Sequence, residues 1–201
     1  MTKKASKEKA SIRNMLNFIS EAGMLKRVSR SGWSVLGIKN AESVADHSFR
    51  CAVIAYVLAR MENVEPYKAL LMALFNDIQE ARITDLHKMA QRYIKDVEAV
   101  EDSAFYKQIG FLPENLKKEL SAMRNEYTRQ NTAESVIARD ADILECLIQA
   151  KEYYQHGFLE AAKFMKGAPQ FLKTKSAKNL WRLARKNDTS RWWLSLSEFK
   201  R

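Results

Sequence analysis

The sequence predicts an all-α fold in a single domain, and three observations lead there. Apolar residues recur at helical spacing through nearly all of the 201 residues. No stretch alternates apolar and polar residues as a half-buried strand would. Gly and Pro number only six and three, too few for a collagen-like, linker-rich or many-turned β chain. With 46% hydrophobic and 29% charged residues, the chain can bury one sizeable core and does not have a disordered composition.

Taken in order, Ile12, Met15, Leu16, Phe18 and Ile19 place a first amphipathic helix over residues 11–24, stopped near Gly23. Residues 25–40 read as irregular, broken by Ser31-Gly32 and Gly37. A long helix is expected from about Ser43 to Met61. Pro66 suits the first turn of the next, which is expected to reach about Glu80. Residues 84–102 read as helical with a break in the middle. Pro113 opens a helix to about Arg129, and Thr132 caps one over residues 133–155 that ends before Gly157. A short helical piece follows to Lys166, then a helix from Pro169 to about Lys186, and a last piece with Trp192 and Trp193.

The clean apolar runs, residues 51–59 and 69–75, are shorter than the roughly 20 residues a bilayer span needs. No hydrophobic signal region follows the N-terminal lysines. The two cysteines, Cys51 and Cys146, fall inside apolar helical patterns and read as reduced core thiols of a cytoplasmic protein. Of the net charge of +10, residues 1–10 carry +3 and residues 161–201 carry +9, which leaves −2 for residues 11–160. The expected organisation is a basic tail over 1–10, a domain over 11–160 and a basic helical extension over 161–201 packed on it. Such ends favour anionic partners, and Trp181, Trp192 and Trp193 among Lys and Arg could stack on nucleic acid or simply dock the last helices.

Two features carry chemistry. The run Ala69-Leu70-Leu71-Met72-Ala73-Leu74-Phe75 is apolar on every side, so its helix belongs in the core. It runs directly into Asn76-Asp77, with Glu80 one turn on. Carboxylates are disfavoured at a helix C-terminus, and buried ones need partners. Either a bound cation or a buried Arg would satisfy Asp77. The second feature is the 133–155 helix, which sets Asp140 and Asp142 within an apolar pattern. Its stripe of Ile137, Ala141, Leu144 and Ile148 lies nearer Asp140 than Asp142. Of the three histidines, His47 stands near the start of a helix, as packing residue or ligand.

Four segments taken together resemble the HD-domain phosphohydrolases, in their small 5′-deoxynucleotidase-like branch. They are Leu25-Lys26-Arg27-Val28-Ser29-Arg30-Ser31-Gly32-Trp33, Glu42-Ser43-Val44-Ala45-Asp46-His47-Ser48, Ala73-Leu74-Phe75-Asn76-Asp77-Ile78-Gln79-Glu80, and Arg139-Asp140-Ala141-Asp142-Ile143-Leu144-Glu145. The resemblance covers about residues 12–157 and implies a helical HD-domain bundle. It implies one divalent metal (Mn, Co, Mg or similar) held by His47, Asn76, Asp77 and Asp142. It also implies Glu80 and Asp85 as catalytic groups, with Arg30 and Trp33 holding the nucleotide. For Trp33 the alternative is ordinary core packing. The implied reaction is hydrolysis of a deoxynucleoside 5′-monophosphate by a homodimer.

One position departs from the pattern. The second His of the family stands as Asn76 here. An amide oxygen is a weaker ligand than imidazole and suits harder ions. The chain could be a natural impaired or repurposed member, or one substituted to trap a ligand, and an inactive nucleotide- or nucleic-acid-binding protein is the alternative function. His87, eleven residues after Asn76, is a possible substitute ligand or a surface residue.

Overall fold

The structure, a computed structural model, describes residues 3–194 and residue 196. Residues 1–2 of the expected basic tail, and residues 195 and 197–201 of the basic extension, lie outside the described residues. The described chain is helical, and its one extended pairing is an isolated antiparallel bridge between Ser29 and Ser43. The helices are α1 (Lys3–Ala22), α2 (Val44–Glu62), α3 (Pro66–Phe75), α4 (Glu80–Ile83), α5 (Lys88–Gln91), α6 (Val97–Ile109), α7 (Glu114–Arg129), α8 (Ala133–Gln155), α9 (Ala162–Gly167), α10 (Lys175–Ala184) and α11 (Arg191–Leu194). No described helix is long and apolar enough to cross a membrane.

The all-α expectation holds, and several boundaries move. Helix α1 begins at Lys3, so the described part of the basic N-terminal segment is helical. The stretch expected to be irregular over 25–40 holds the end of one 3₁₀ turn, Gly23–Arg27, and all of a second, Ser31–Leu36. Helix α3 stops at Phe75, five residues before the expected end. The acidic turn that follows cannot favourably continue a helix, and the backbone closes into short turns instead. Ile78 N–H donates to the Phe75 carbonyl and Glu80 N–H to the Asp77 carbonyl. The stretch after Pro169 divides into a 3₁₀ turn (Ala168–Phe171) and α10.

The chain divides into two compact units. The first comprises the chain up to Phe49 and Leu74–Gln130. Its core is Leu25, Val28, Val44, Ile78, Phe105, Ile109, Leu112 and Leu120, with Met15, Phe18, Phe75 and Met123 packed against it. Burying side chains of this kind stabilises by about 1.5–3 kcal/mol each. Asp96 caps α6 by accepting from Ala99 N–H at 2.9 Å. Glu21 of α1 pairs with Arg82 of α4.

The second unit comprises Arg50–Ala73 and the chain from Asn131 onward. Helix α8 is its centre, and α9 and α10 pack on it. Thr132 and Ser135 form a reciprocal capping box at the start of α8. Arg50 donates from Nε to the fully buried Glu145 at 2.9 Å and from Nη1 to Glu152 at 2.9 Å, and these partners hold the guanidinium protonated despite its burial. The Ser176 N–H donates to Glu62 Oε1 at 2.7 Å, which ties α10 to α2. Trp181 is buried, as a docking residue should be. Trp192 is 72% exposed and Trp193 43%, so these two do not anchor the last helix in the core.

Candidate active site

Three segments of the first unit place the chemically interesting residues. The earliest is the loop after α1. Arg30 N–H donates to the Glu42 carbonyl at 3.0 Å, and Val44 N–H donates to the Val28 carbonyl at 2.8 Å. This clamp holds the loop bearing Arg30 and Trp33 against the start of α2. Ser43 caps that helix. Its N–H and hydroxyl both donate to Asp46 Oδ2, at 2.8 and 2.7 Å, while Asp46 N–H returns a bond to Ser43 Oγ. The first turn of α2 is thereby fixed, and His47 follows directly. His47 is 1% exposed.

The turn after α3 supplies the carboxylate. Asp77 is buried, and its Oδ2 lies 3.5 Å from His47 Nε2 and 3.6 Å from Arg30 Nη1. Asn76 donates its Nδ2 to Asp77 Oδ1 at 2.7 Å. The arginine partner anticipated for Asp77 is thus present, as Arg30, beside an imidazole. Glu80 opens α4 one turn on, and its Oε2 is buried without a hydrogen-bond partner among the described residues. Burial first, then the charges of Asp77 and Asp85, push its carboxyl up to about 10, against the opposing pull of Arg30 and His47. Without an ion nearby, these surroundings favour the protonated form of Glu80.

Helix α4 ends on Thr84, whose backbone sits at φ 62° and ψ 171°. This region is essentially reserved for glycine, and a β-branched residue there is strained. The turn delivers Asp85 to the Arg30 loop. Asp85 Oδ2 accepts from Ser31 N–H at 2.6 Å, and its Oδ1 lies 3.9 Å from Arg30 Nη1.

His47, Asn76, Asp77, Glu80, Asp85, Arg30 and Trp33 all belong to the first unit. Trp33 is 3% exposed and gives its indole N–H to Glu42 Oε1 at 2.8 Å, so that donor is already committed within the fold. His87 is the N-cap of α5, its Nδ1 accepting from Ala90 N–H at 3.1 Å; the structure gives it a helix to cap rather than an ion to hold. Asp142 belongs to the second unit, where Arg139 Nη1 lies 3.2 Å from its Oδ2. Its neighbour Asp140, favoured by periodicity, is fully buried and wholly occupied. It accepts from Lys173 N–H, Thr174 N–H and the Thr174 hydroxyl, the last two at 2.6 Å. Asp140 holds the chain ahead of α10.

A buried imidazole beside a buried carboxylate, with a further carboxyl oxygen lacking a partner, is a donor set that suits a divalent cation. The residues present fit such an ion, although Asn76 turns a donor rather than its oxygen toward Asp77. Sequence reading missed Glu42 and Ser31, which position Trp33 and Asp85. It also missed Arg124, which donates from Nη1 to the Asn76 carbonyl at 3.2 Å. One signal existed for Arg124: it interrupts the apolar stripe Leu120, Met123, Tyr127 of α7.

Comparison with known proteins decides the family. The model of the HD domain family matches residues 22–181. This chain belongs to the HD-domain family. The 5′-deoxynucleotidase HDDC2 of Bos taurus is 34% identical over 141 residues, covering 70% of this chain and 68% of the relative. Among solved structures, a conserved hypothetical protein from Pyrococcus furiosus is similar at a TM-score of 0.69 and 34% identity, over 86% of this chain and 99% of that one. A protein from Magnetospirillum magnetotacticum, described as a predicted metal-dependent phosphohydrolase, matches at a TM-score of 0.69 and 25% identity, over 88% of this chain and 94% of that one.

Proposed function

We propose that this HD-domain protein is a metal-dependent phosphohydrolase that cleaves the phosphate from deoxynucleoside 5′-monophosphates. The single observation that carries the reading is the buried pairing of His47 Nε2 with Asp77 Oδ2 at 3.5 Å, with Arg30 on the same carboxylate oxygen. This pairing supports the reading of His47 and Asp77 as ion ligands and of Arg30 as the phosphate's cation. The kinship with 5′-deoxynucleotidases supplies the substrate class.

His47, Asp77 and, following the family pattern, Asp142 would hold one divalent ion, with Asn76 as a weak fourth donor. When bound, the ion supplies Lewis-acid activation of a phosphate oxygen and of a water. The rest falls to the chain's own side chains. Arg30 grips the phosphate by charge-assisted hydrogen bonds. Glu80, whose burial and acidic neighbours favour the protonated carboxyl, donates its proton to the leaving 5′-oxygen. Asp85 steadies the Arg30 loop through Ser31 and orients the attacking water with its other oxygen. Trp33, held by Glu42, would back the Arg30 loop that meets the nucleotide.

We further propose a cytoplasmic homodimer. Cys51 and Cys146, read from the sequence as reduced core thiols, support the reducing compartment. The exposed apolar positions Val53, Tyr56, Val57 and Met61 of α2, at helical spacing, support self-association. Nucleic-acid binding through the basic residues near Trp192 is the lesser partner reading, and a salt-independent response to single-stranded DNA would remove it.

The test is phosphate release from a panel of deoxy- and ribonucleoside 5′-monophosphates with Mn, Co or Mg, with Asn76→His assayed in parallel. Release confined to 5′-monophosphates, abolished by chelator and raised by Asn76→His, supports the proposal. An inactive parent together with an inactive Asn76→His variant would sink it.

A further inference from the structure

We infer that Arg124 is a positioning residue for the metal-binding turn, acting on Asp77 through the peptide bond that precedes it. This rests on the reading of Asp77 as a metal ligand. The backbone of the turn leaves one carbonyl aside. Phe75 and Asp77 each accept a backbone N–H, from Ile78 and Glu80, whereas the Asn76 carbonyl between them accepts from the Arg124 guanidinium at 3.2 Å. The peptide is planar, so fixing the Asn76 oxygen fixes the plane that carries Asp77 N–H and the direction of its Cα. Arg124 therefore sets the orientation of a carboxylate it does not touch.

The guanidinium is itself held on every side. Its Nε donates to Asp102 Oδ1 at 3.0 Å, Nη2 lies 3.4 Å from Glu101 Oε2, and its carbon lies 5.6 Å from the centre of the Phe105 ring. The side chain is 8% exposed. An arginine placed in an apolar stripe, with two acids on one edge and a single carbonyl on another, is a fork built for simultaneous contacts. A lysine has one compact ammonium and cannot span Asp102, Glu101 and the Asn76 carbonyl together. Gln108, whose Nε2 donates to the Ile78 carbonyl at 3.2 Å, braces the same turn from α6.

The experiment compares the full-length parent with Arg124→Lys, Arg124→Ala and Asp77→Asn. Mn(II) affinity is measured by calorimetry, together with the melting midpoint and phosphate release. Outer partners of metal ligands typically change affinity by about 10–100-fold. Arg124→Lys is expected to stay folded at 25 °C and to bind Mn(II) about tenfold more weakly, with a matching loss of turnover. Added guanidinium ion at millimolar concentration should restore part of the affinity of Arg124→Ala. Parent-like Mn(II) affinity in Arg124→Lys, whatever its melting point, overturns the inference while Asp77→Asn still abolishes binding. Parent-like affinity in Asp77→Asn overturns the metal reading itself, and the inference with it.

Discussion

Replacing Asn76 by His should tighten metal binding, and the size of the gain can be worked from the site. In the present chain Asn76 donates its amide to Asp77 Oδ1 at 2.7 Å. For the amide to offer its oxygen to an ion it must give up that bond and rotate. A hydrogen bond to a charged carboxylate contributes about 1.5–3 kcal/mol net. At about 1.4 kcal/mol per decade, forfeiting it weakens apparent affinity about 10–100-fold. Imidazole carries no such penalty, since its free nitrogen is the ligand atom, and it is the better donor for Mn, Co or Zn. Asn76→His is therefore expected to lower the Mn(II) dissociation constant by about one to two decades. Turnover at limiting metal should rise to match, while at saturating metal the gain should be smaller. Calorimetric titration and a phosphate-release assay over a metal series read both quantities. An unchanged or weaker affinity, with turnover flat at all metal concentrations, would show that residue 76 does not ligate the ion.

Other consequences follow from the same geometry. Because burial and the charges of Asp77 and Asp85 raise the Glu80 carboxyl to about 10, the folded protein binds a proton that the unfolded chain releases near pH 4.5. Between those values stability from this group falls as pH rises. In chelator, Glu80→Gln should flatten that slope and melt higher than the parent at pH 8, yet lose turnover; a variant with the parental slope would contradict the assignment. Thr84→Gly relieves a backbone at φ 62° and ψ 171°. Strain of this kind costs about 1–3 kcal/mol, partly offset by about 0.5–1 kcal/mol of glycine entropy. Denaturant titration should show a gain of about 1 kcal/mol, with activity reduced because Asp85 is no longer aimed at the Arg30 loop. Asp140→Ala leaves the Lys173 and Thr174 N–H groups without their acceptor and should cost about 3 kcal/mol. Its residual folded fraction should keep parental metal affinity, whereas Asp142→Ala should keep stability and lose metal.

Much of the architecture was readable because its signals are local. Thr132 caps α8, Pro66 opens α3 and Pro113 immediately precedes α7, as propensity requires. The end of α3 was not, because an apolar run tells where a helix is buried and not where its last hydrogen bond falls. The acids that make the site interesting are the residues that end the helix. Periodicity also pointed to Asp140 over Asp142, and it was right about burial: Asp140 is buried, but in the service of the 172–174 segment. Burial identifies a carboxylate with partners, and only coordinates say whether those partners are backbone groups. Trp33 repeats the lesson, since its Glu42 bond depends on a bridge between Ser29 and Ser43 that no helical period announces. The pairing of His47 with Asp77 joins residues thirty positions apart, and only the family resemblance linked them beforehand.

The ion proposed to be held by His47, Asp77 and Asp142 is checked most sharply by equilibrium Mn(II) binding to the metal-stripped full-length protein. Binding is expected at a single site per chain, lost in each of His47→Ala, Asp77→Asn and Asp142→Ala while all three variants retain the helical circular dichroism of the parent. A stoichiometry near zero in the parent, or undiminished binding in any one of the three variants, would rule out that ion site.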